Sequence, residues 1–135
     1  MKSVVPYFTF AGNCREAMNF YRDCFGGEIT HMQTFEEAHM QVDDQVKNHI
    51  VHAEMRAGDI LLMASDGGMT GFVSQVGNNV NLNVNLTDPA EQDKIFAALA
   101  VGGKVTMPLQ DTFWGARYGM LTDRFGVNWM LNCTK

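Results

Sequence analysis

Two residues stand out for the chemistry their spacing allows. His52 and Glu54 lie two apart in the strand-like run His49 to Arg56. Alternate side chains of an extended chain share a face, so the imidazole and the carboxylate project together, opposite Val51, Ala53 and Met55. Such a pair can act as a general base with an orienting carboxylate, or give two donors to a divalent metal of low coordination. The plainer reading is a His and a Glu that satisfy one another on a half-buried face. His31, His39 and His49 have no partner at comparable spacing, and the loop position of His39 predicts exposure to solvent.

A second set is aromatic and amide: Phe113, Trp114 and Tyr118, with Gln110, Asn81 and Asn83. Trp and Tyr offer broad flat contact with one polar handle, and side-chain amides can fix the orientation of a bound molecule. Trp129 alternates with Val127 and Leu131 and is expected in the core; for Trp114, packing and ligand contact are equally open. Met55, Met63, Met107, Met120 and Met130, among ten methionines, are expected as core or as the lining of a site rather than as metal ligands. Cys14, Cys24 and Cys133 are odd in number and lack Cys-x-x-Cys spacing, so they read as isolated thiols rather than a disulfide frame or a zinc site.

The elements that must position these residues occur twice. Val4 to Phe10 leads into Asn13-Cys14-Arg15-Glu16, the helix-patterned Ala17 to Cys24, and Gly26-Gly27. Val80 to Leu86 leads into Asp88-Pro89-Ala90-Glu91, the helical Ile95 to Leu99, and Gly102-Gly103. Gly12-Asn13-x-x-Glu16 has the form of a capping box, and Asp88 followed by Pro89 is a cap with proline at the first helical position. Three strands follow each helix: Ile29 to Phe35, His49 to Arg56 and Ile60 to Ala64 in the first copy, and Lys104 to Leu109, Tyr118 to Thr122 and Val127 to Asn132 in the second. Asp66 to Asn78 and Asp111 to Gly119 remain as glycine-rich loops suited to cover a site. The domain expected is single, over 1–135, with module one at 1–66, a loop at 67–78 and module two at 79–135.

Composition narrows the function. A net charge of -5 with ten Lys and Arg, none in a run, argues against nucleic acid as a partner. No apolar run reaches the length of a membrane span and the amino terminus has no secretory pattern, so neither membrane nor export is expected and a cytoplasmic address follows by default. There is no glycine-rich strand-to-helix turn with an acidic residue some 20 positions on, the arrangement that holds nucleoside cofactors. No nucleophile elbow or phosphate loop is present either.

Several strings taken together carry a family resemblance. Pro6-Tyr7-x-x-Phe10-x-Gly12-Asn13, Ala17-x-x-Phe20-Tyr21-x-x-x-Phe25-Gly26-Gly27, His52-Ala53-Glu54, Thr112-Phe113-Trp114-Gly115 and Asp123-Arg124-Phe125-Gly126-Val127-x-Trp129-Met130 resemble the PhnB-like proteins. These form a branch of the vicinal oxygen chelate superfamily that is also labelled a demethylubiquinone methyltransferase domain; the superfamily includes glyoxalase I, extradiol dioxygenases and bleomycin-binding proteins. The resemblance implies an α+β fold of two βαβββ modules, whose eight strands form a cupped, mostly antiparallel sheet with helices outside. It also implies a homodimer. Superfamily enzymes hold a divalent metal with one ligand from each of four strands, and here those positions fall near Pro6, Leu62 or Met63, Asn81 and Met130. Those residues do not make a ligand set, so the usual metal is not expected and no other cofactor is called for. The leading expectation is a small organic ligand bound by Phe113, Trp114, Asn81, Asn83, Gln110, Tyr118 and Met130, with His52 and Glu54 as the candidate catalytic pair. The alternatives are a metal-dependent lyase or dioxygenase of glyoxalase type with a displaced ligand set, and a drug-sequestering protein like those for bleomycin.

Overall fold

The computed structural model describes residues 1–134, in two compact units that meet in sequence between Gln75 and Val76. The first contains β1 (Tyr7–Phe10), α1 (Cys14–Phe25), β2 (Glu28–Thr34), β3 (Ile50–Ala57) and β4 (Ile60–Asp66). The second contains β5 (Leu82–Leu86), α2 (Pro89–Leu99), β6 (Lys104–Asp111), β7 (Ala116–Thr122) and β8 (Asn128–Thr134). Each unit is one four-stranded sheet, ordered β1-β4-β3-β2 and β5-β8-β7-β6. In each, the first strand pairs parallel with the last and the other pairs are antiparallel. The expected βαβββ repeat is therefore present down to strand order. It is the fold of the vicinal oxygen chelate proteins.

One helix covers one face of each sheet. In the first unit Cys14, Ala17, Met18 and Tyr21 of α1 are fully buried, as are Ala53, Met55 and Ala64 of β3 and β4. In the second, Ile95, Phe96 and Leu99 of α2 are buried, as are Leu121 of β7 and Trp129, Leu131 and Cys133 of β8. Removing such side chains from water supplies roughly 1.5–3 kcal/mol each before the entropy of ordering them is set against it. The faces away from the helices carry the alternate residues, which are half-buried or exposed.

The doubled glycines show why the repeat is written as it is. Gly26, the C-cap of α1, and Gly102, two residues past Ala100, the C-cap of α2, have φ of 66° and 75°, left-handed values at which a Cβ is strained. A Cβ on the next residue would stand 2.3 Å from the carbonyl oxygen of Arg56 at Gly27, and 2.3 Å from that of Thr122 at Gly103. The first glycine thus turns the chain and the second lets it pass against a neighbouring strand's backbone, at the same place in both modules.

Three local expectations are corrected. Asn13 is the N-cap of α1 but its side chain makes no cap bond. Asp66 supplies the acceptor instead: its Oδ1 takes the N–H of Gly12 (2.8 Å) and Cys14 (3.0 Å), and its Oδ2 that of Ile50 (2.9 Å). At α2 the Asp88 side chain does cap, accepting from Ala90 N–H at 3.0 Å. Asp111 to Gly119 is not a long loop, because β6 runs to Asp111 and β7 starts at Ala116, leaving a tight hairpin tip of residues 112–115. Asp66, placed at the head of the other loop, is the last residue of β4.

Candidate functional site

In the first unit the face away from α1 gathers three polar rings and one carboxylate. His52 and Glu54 do share it, with His52 Nε2 3.6 Å from Glu54 Oε2 and both side chains less than a third exposed. Two residues join them that spacing did not reveal. The Tyr7 hydroxyl lies 3.0 Å from His52 Nδ1, with the two rings stacked at 5.6 Å between centroids. His31 pairs with Glu54 in the β2–β3 ladder, and its ring lies 5.5 Å from that of His52. His31 therefore has a partner after all, brought across the sheet rather than along the chain, in a ladder whose register shifts between Ile29 and His31. Alternation of Tyr7 and Thr9 with the more buried Phe8 and Phe10 was the signal for Tyr7.

Both ring nitrogens of His52 have a neighbour. A neutral imidazole has one N–H and one lone pair. With the Tyr7 hydroxyl donating to Nδ1, the ring N–H sits on Nε2 and points at Glu54; with both nitrogens protonated, Glu54 balances the charge. Either state suits proton transfer or the binding of a polar group; with Nδ1–H donating to the Tyr7 oxygen instead, the Nε2 lone pair faces Glu54.

The divalent centre of the fold family can be tested on the strands that would hold it. Leu62 is 2% exposed on the helix side of β4, which leaves Met63 on the other face, in register with Tyr7 of β1. Pro6 stands ahead of β1 and Asn81 ahead of β5, where Asn83 is the first amide in the ladder. Asn83 pairs with Met130. A phenol, two thioethers and a neutral amide do not form a set for a hard or borderline divalent ion. Among the described residues no three His, Cys, Asp or Glu side chains are grouped to hold one.

In the second unit the face away from α2 is built in rows. Asn85, Asn132, Tyr118 and Gln110 follow one another across β5, β8, β7 and β6 in ladder register. Asn83 Nδ2 donates to Asn85 Oδ1 at 2.9 Å, and Asn132 Nδ2 approaches the same oxygen at 3.5 Å. The hairpin tip adds Trp114, whose ring stands edge-on to Tyr118 at 5.9 Å and to Phe113 at 5.0 Å. Trp114 is 55% exposed and Phe113 98%, whereas Trp129 is 2% exposed with Nε1 donating to Asp123 Oδ2 at 2.8 Å. Of the expected ligand contacts, Asn83, Gln110, Tyr118, Trp114 and Met130 share this sheet face or its rim. Asn81 is exposed and outside the ladder, and Phe113 meets Trp114 alone among the residues expected at the site. Asn85 and Asn132 complete the amide row and were missed, although Asn85 belongs to the same alternating run as Asn83.

A cavity of about 110 Å³ lies elsewhere in the first unit, lined by Gln45, Val46, His49, Thr70 and Phe72 among others. None of the residues expected at a site touches it. Cys14, Cys24 and Cys133 are buried and form no disulfide among the described residues, and at Cys14 burial, then the Asp66 carboxylate, push the thiol up to about 12 against a weaker pull from Arg15.

Comparison with known proteins places this geometry. A family model described as 3-demethylubiquinone-9 3-methyltransferase matches residues 2–132. Protein YjdN of Escherichia coli K12 is 34% identical over 140 residues, covering 96% of this chain and 94% of that one. Among solved structures, protein PA1353 from Pseudomonas aeruginosa superposes with a TM-score of 0.88 at 41% identity, covering 99% and 98% of the two chains. A Bacillus cereus PhnB protein, described as a putative 3-demethylubiquinone-9 3-methyltransferase, gives 0.80 at 25% identity over 98% and 100%. With the doubled module, the Gly-Gly turns and matches that run from end to end, the chain belongs to the PhnB-like family of the vicinal oxygen chelate superfamily.

Proposed function

We propose that this PhnB-like protein binds a small organic molecule on the face of the second sheet away from α2, without the divalent metal of its superfamily. The observation that carries the reading is the row Asn85, Asn132, Tyr118 and Gln110, whose amides and phenol lie in register beside a half-exposed Trp114. Neutral donors and acceptors in a line, with an aromatic wall at one end, suit a neutral, flat, hydrogen-bonding ligand. Methyl transfer, which the family model's description names, is not part of this reading. The turn from β1 into α1 has one glycine, Gly12, and that from β5 into α2 has none, whereas nucleoside cofactors are held by glycine-rich turns.

Trp114 also supplies the assay, since the other tryptophan is buried. Fluorescence screening of aromatic and heteroaromatic compounds is expected to find ligands that quench the parent, with affinity measured by calorimetry lost in Trp114→Ala and reduced in Asn132→Ala while far-UV circular dichroism is unchanged. Ligands that bind both variants as tightly as the parent would overturn the assignment. Light scattering on the same samples tests the expected pairing of two chains.

A second reading has its own observation. Tyr7, His52 and Glu54 form a chain of contacts suited to a proton-transferring enzyme, His52 acting as base and Glu54 orienting it. It predicts turnover of a ligand found in the screen, abolished in His52→Gln and strongly reduced in Glu54→Gln. Binding without turnover, unaffected by either change, leaves the binding reading alone.

A further inference from the structure

In the chain of contacts Tyr7, His52, Glu54, the tyrosine is the end that meets solvent. It stands on β1, an edge of the first sheet, and is 49% exposed, whereas the side chains of His52 and Glu54 are less than a third exposed. The Tyr7 hydroxyl lies 3.0 Å from His52 Nδ1, and His52 Nε2 lies 3.6 Å from Glu54 Oε2. The second distance is too long for a hydrogen bond. A carboxylate that close still favours the tautomer with its proton on Nε2, because it would repel a lone pair there. Nδ1 then carries the lone pair and the phenol is the donor. Neither of the other tyrosines has this setting: Tyr21 is fully buried, and Tyr118, half-buried, packs against Trp114 rather than a histidine.

A hydroxyl, a base within hydrogen-bond reach of it and a third group that orients the base make an activated nucleophile, recognised by geometry and roles rather than by position in sequence. We infer that Tyr7 is the reacting group of the first unit, a nucleophile toward activated acyl compounds, with His52 as its base and Glu54 as the positioning carboxylate. The inference rests on the proton-transfer reading and goes further, since it puts the attack on the phenol oxygen and gives the imidazole a proton to take. In the step, Tyr7 Oη bonds to the acyl carbon as its proton passes to His52 Nδ1. The bond from that carbon to the leaving group then breaks, and the leaving group departs with the electron pair and takes the proton back from Nδ1. Glu54 balances the imidazolium that exists in between.

N-acetylimidazole is a suitable probe, with acetyl as the acyl group and imidazole as the leaving group. Applied to the full chain, with peptide mass spectrometry reading each tyrosine separately, it is expected to acetylate Tyr7 ahead of Tyr118. Exposure alone would give the same order, so the variants decide. His52→Gln should slow Tyr7 at least about tenfold, below the 10²–10⁴-fold that a positioned base contributes, and Glu54→Gln should slow it less, both with the Tyr118 rate unchanged. The pH profile separates a base from a merely structural neighbour: Tyr7 should react well below the range where phenols ionise, and His52→Gln should remove that reactivity. The titratable groups around His52 in the first unit are Tyr7 of β1, Glu54 of its own strand and His31 of β2. An unchanged ratio of Tyr7 to Tyr118 rates in His52→Gln would overturn the inference. So would turnover of a screened ligand that survives Tyr7→Phe but not His52→Gln, a result that leaves the proton-transfer reading standing. Acetylation that depends on His52, with no screened ligand turned over, supports Tyr7 and removes those ligands as substrates.

Discussion

Replacing Asp66 by asparagine tests how the first unit holds its sheet and helix together. The carboxylate is 3% exposed and accepts three backbone N–H groups, from Gly12, Cys14 and Ile50. It therefore ties the end of β4 to the start of α1 and to the start of β3, two residues from His52. Asparagine keeps one oxygen. If that oxygen stays on Gly12 and Cys14, its NH2 group faces the buried N–H of Ile50; if it flips, two donors are orphaned instead of one. The better arrangement loses one bond to a charged acceptor, worth about 1.5–3 kcal/mol, and leaves a buried N–H unpaired at about 1–3 kcal/mol. Relief from burying a charge offsets part of this, so a net loss of about 3 kcal/mol is expected. Guanidinium denaturation followed by far-UV circular dichroism measures it, since both tryptophans lie in the second unit. A second readout is independent of stability. The Asp66 charge helps to raise the Cys14 thiol, so the variant should bring it down from about 12. An Asp66→Asn protein within 1 kcal/mol of the parent, with unchanged Cys14 titration, would refute the reasoning.

Two further outcomes follow from the same physical reading. Gly27→Ala and Gly103→Ala each push a Cβ to 2.3 Å from a strand carbonyl and should cost about 2–3 kcal/mol, whereas Gly58→Ala, at φ 57° with nothing within 4 Å, should cost about 1 kcal/mol; comparable melting temperatures for all three would contradict the close approach. The Cys14 thiol has an ordinary value of 9.0 and is raised to about 12 in the folded chain, so the stability it contributes is complete below pH 9 and is lost as pH rises toward 12; at pH 10 about 1.4 kcal/mol should be gone, measurable as a lower denaturation midpoint in the parent than in Cys14→Ala after correction at pH 7.

Much of this fold is legible in the residues because its rules are local. Period-two alternation gives β3 and β5, and helix α2 begins where Asp88-Pro89 says it should. Capping shows where local rules stop. Asn13-x-x-Glu16 has the letters of a capping box, yet the reciprocal bonds form at Thr34 and Glu37: Glu37 N–H donates to Thr34 Oγ1 at 3.0 Å, and Thr34 N–H to Glu37 Oε1 at 2.9 Å. Those bonds hold the Glu37 carboxyl below its usual range. At α1 a buried carboxylate 52 residues away already accepts from Cys14 N–H, so the side chain of Asn13 is not needed. His31 escaped notice for a related reason, because its partners lie across a shifted ladder that spacing along one strand cannot register.

The two modules share strand order, helix placement and the Gly-Gly turn, and they differ on the faces that the helices leave uncovered. The first bears His31, His52 and Glu54, two imidazoles and a carboxylate, with the Tyr7 hydroxyl against His52. The second bears amides, a phenol and thioethers, with no imidazole or carboxylate in the amide row. In the fold family each module contributes two of four metal-ligand positions, so a common divalent centre needs hard or borderline donors from both. Here Tyr7 and Met63 stand on one sheet, Asn83 and Met130 on the other, and the imidazole and carboxylate that remain are on β3, engaged with Tyr7 and each other. The two uncovered faces therefore differ in the side chains they present, ionisable ones on the first and neutral ones on the second. A substitution on one face should accordingly alter turnover or polar contacts without altering affinity at the other, and the paired variants His52→Gln and Asn132→Ala put that separation to measurement through additivity of their effects on ligand affinity.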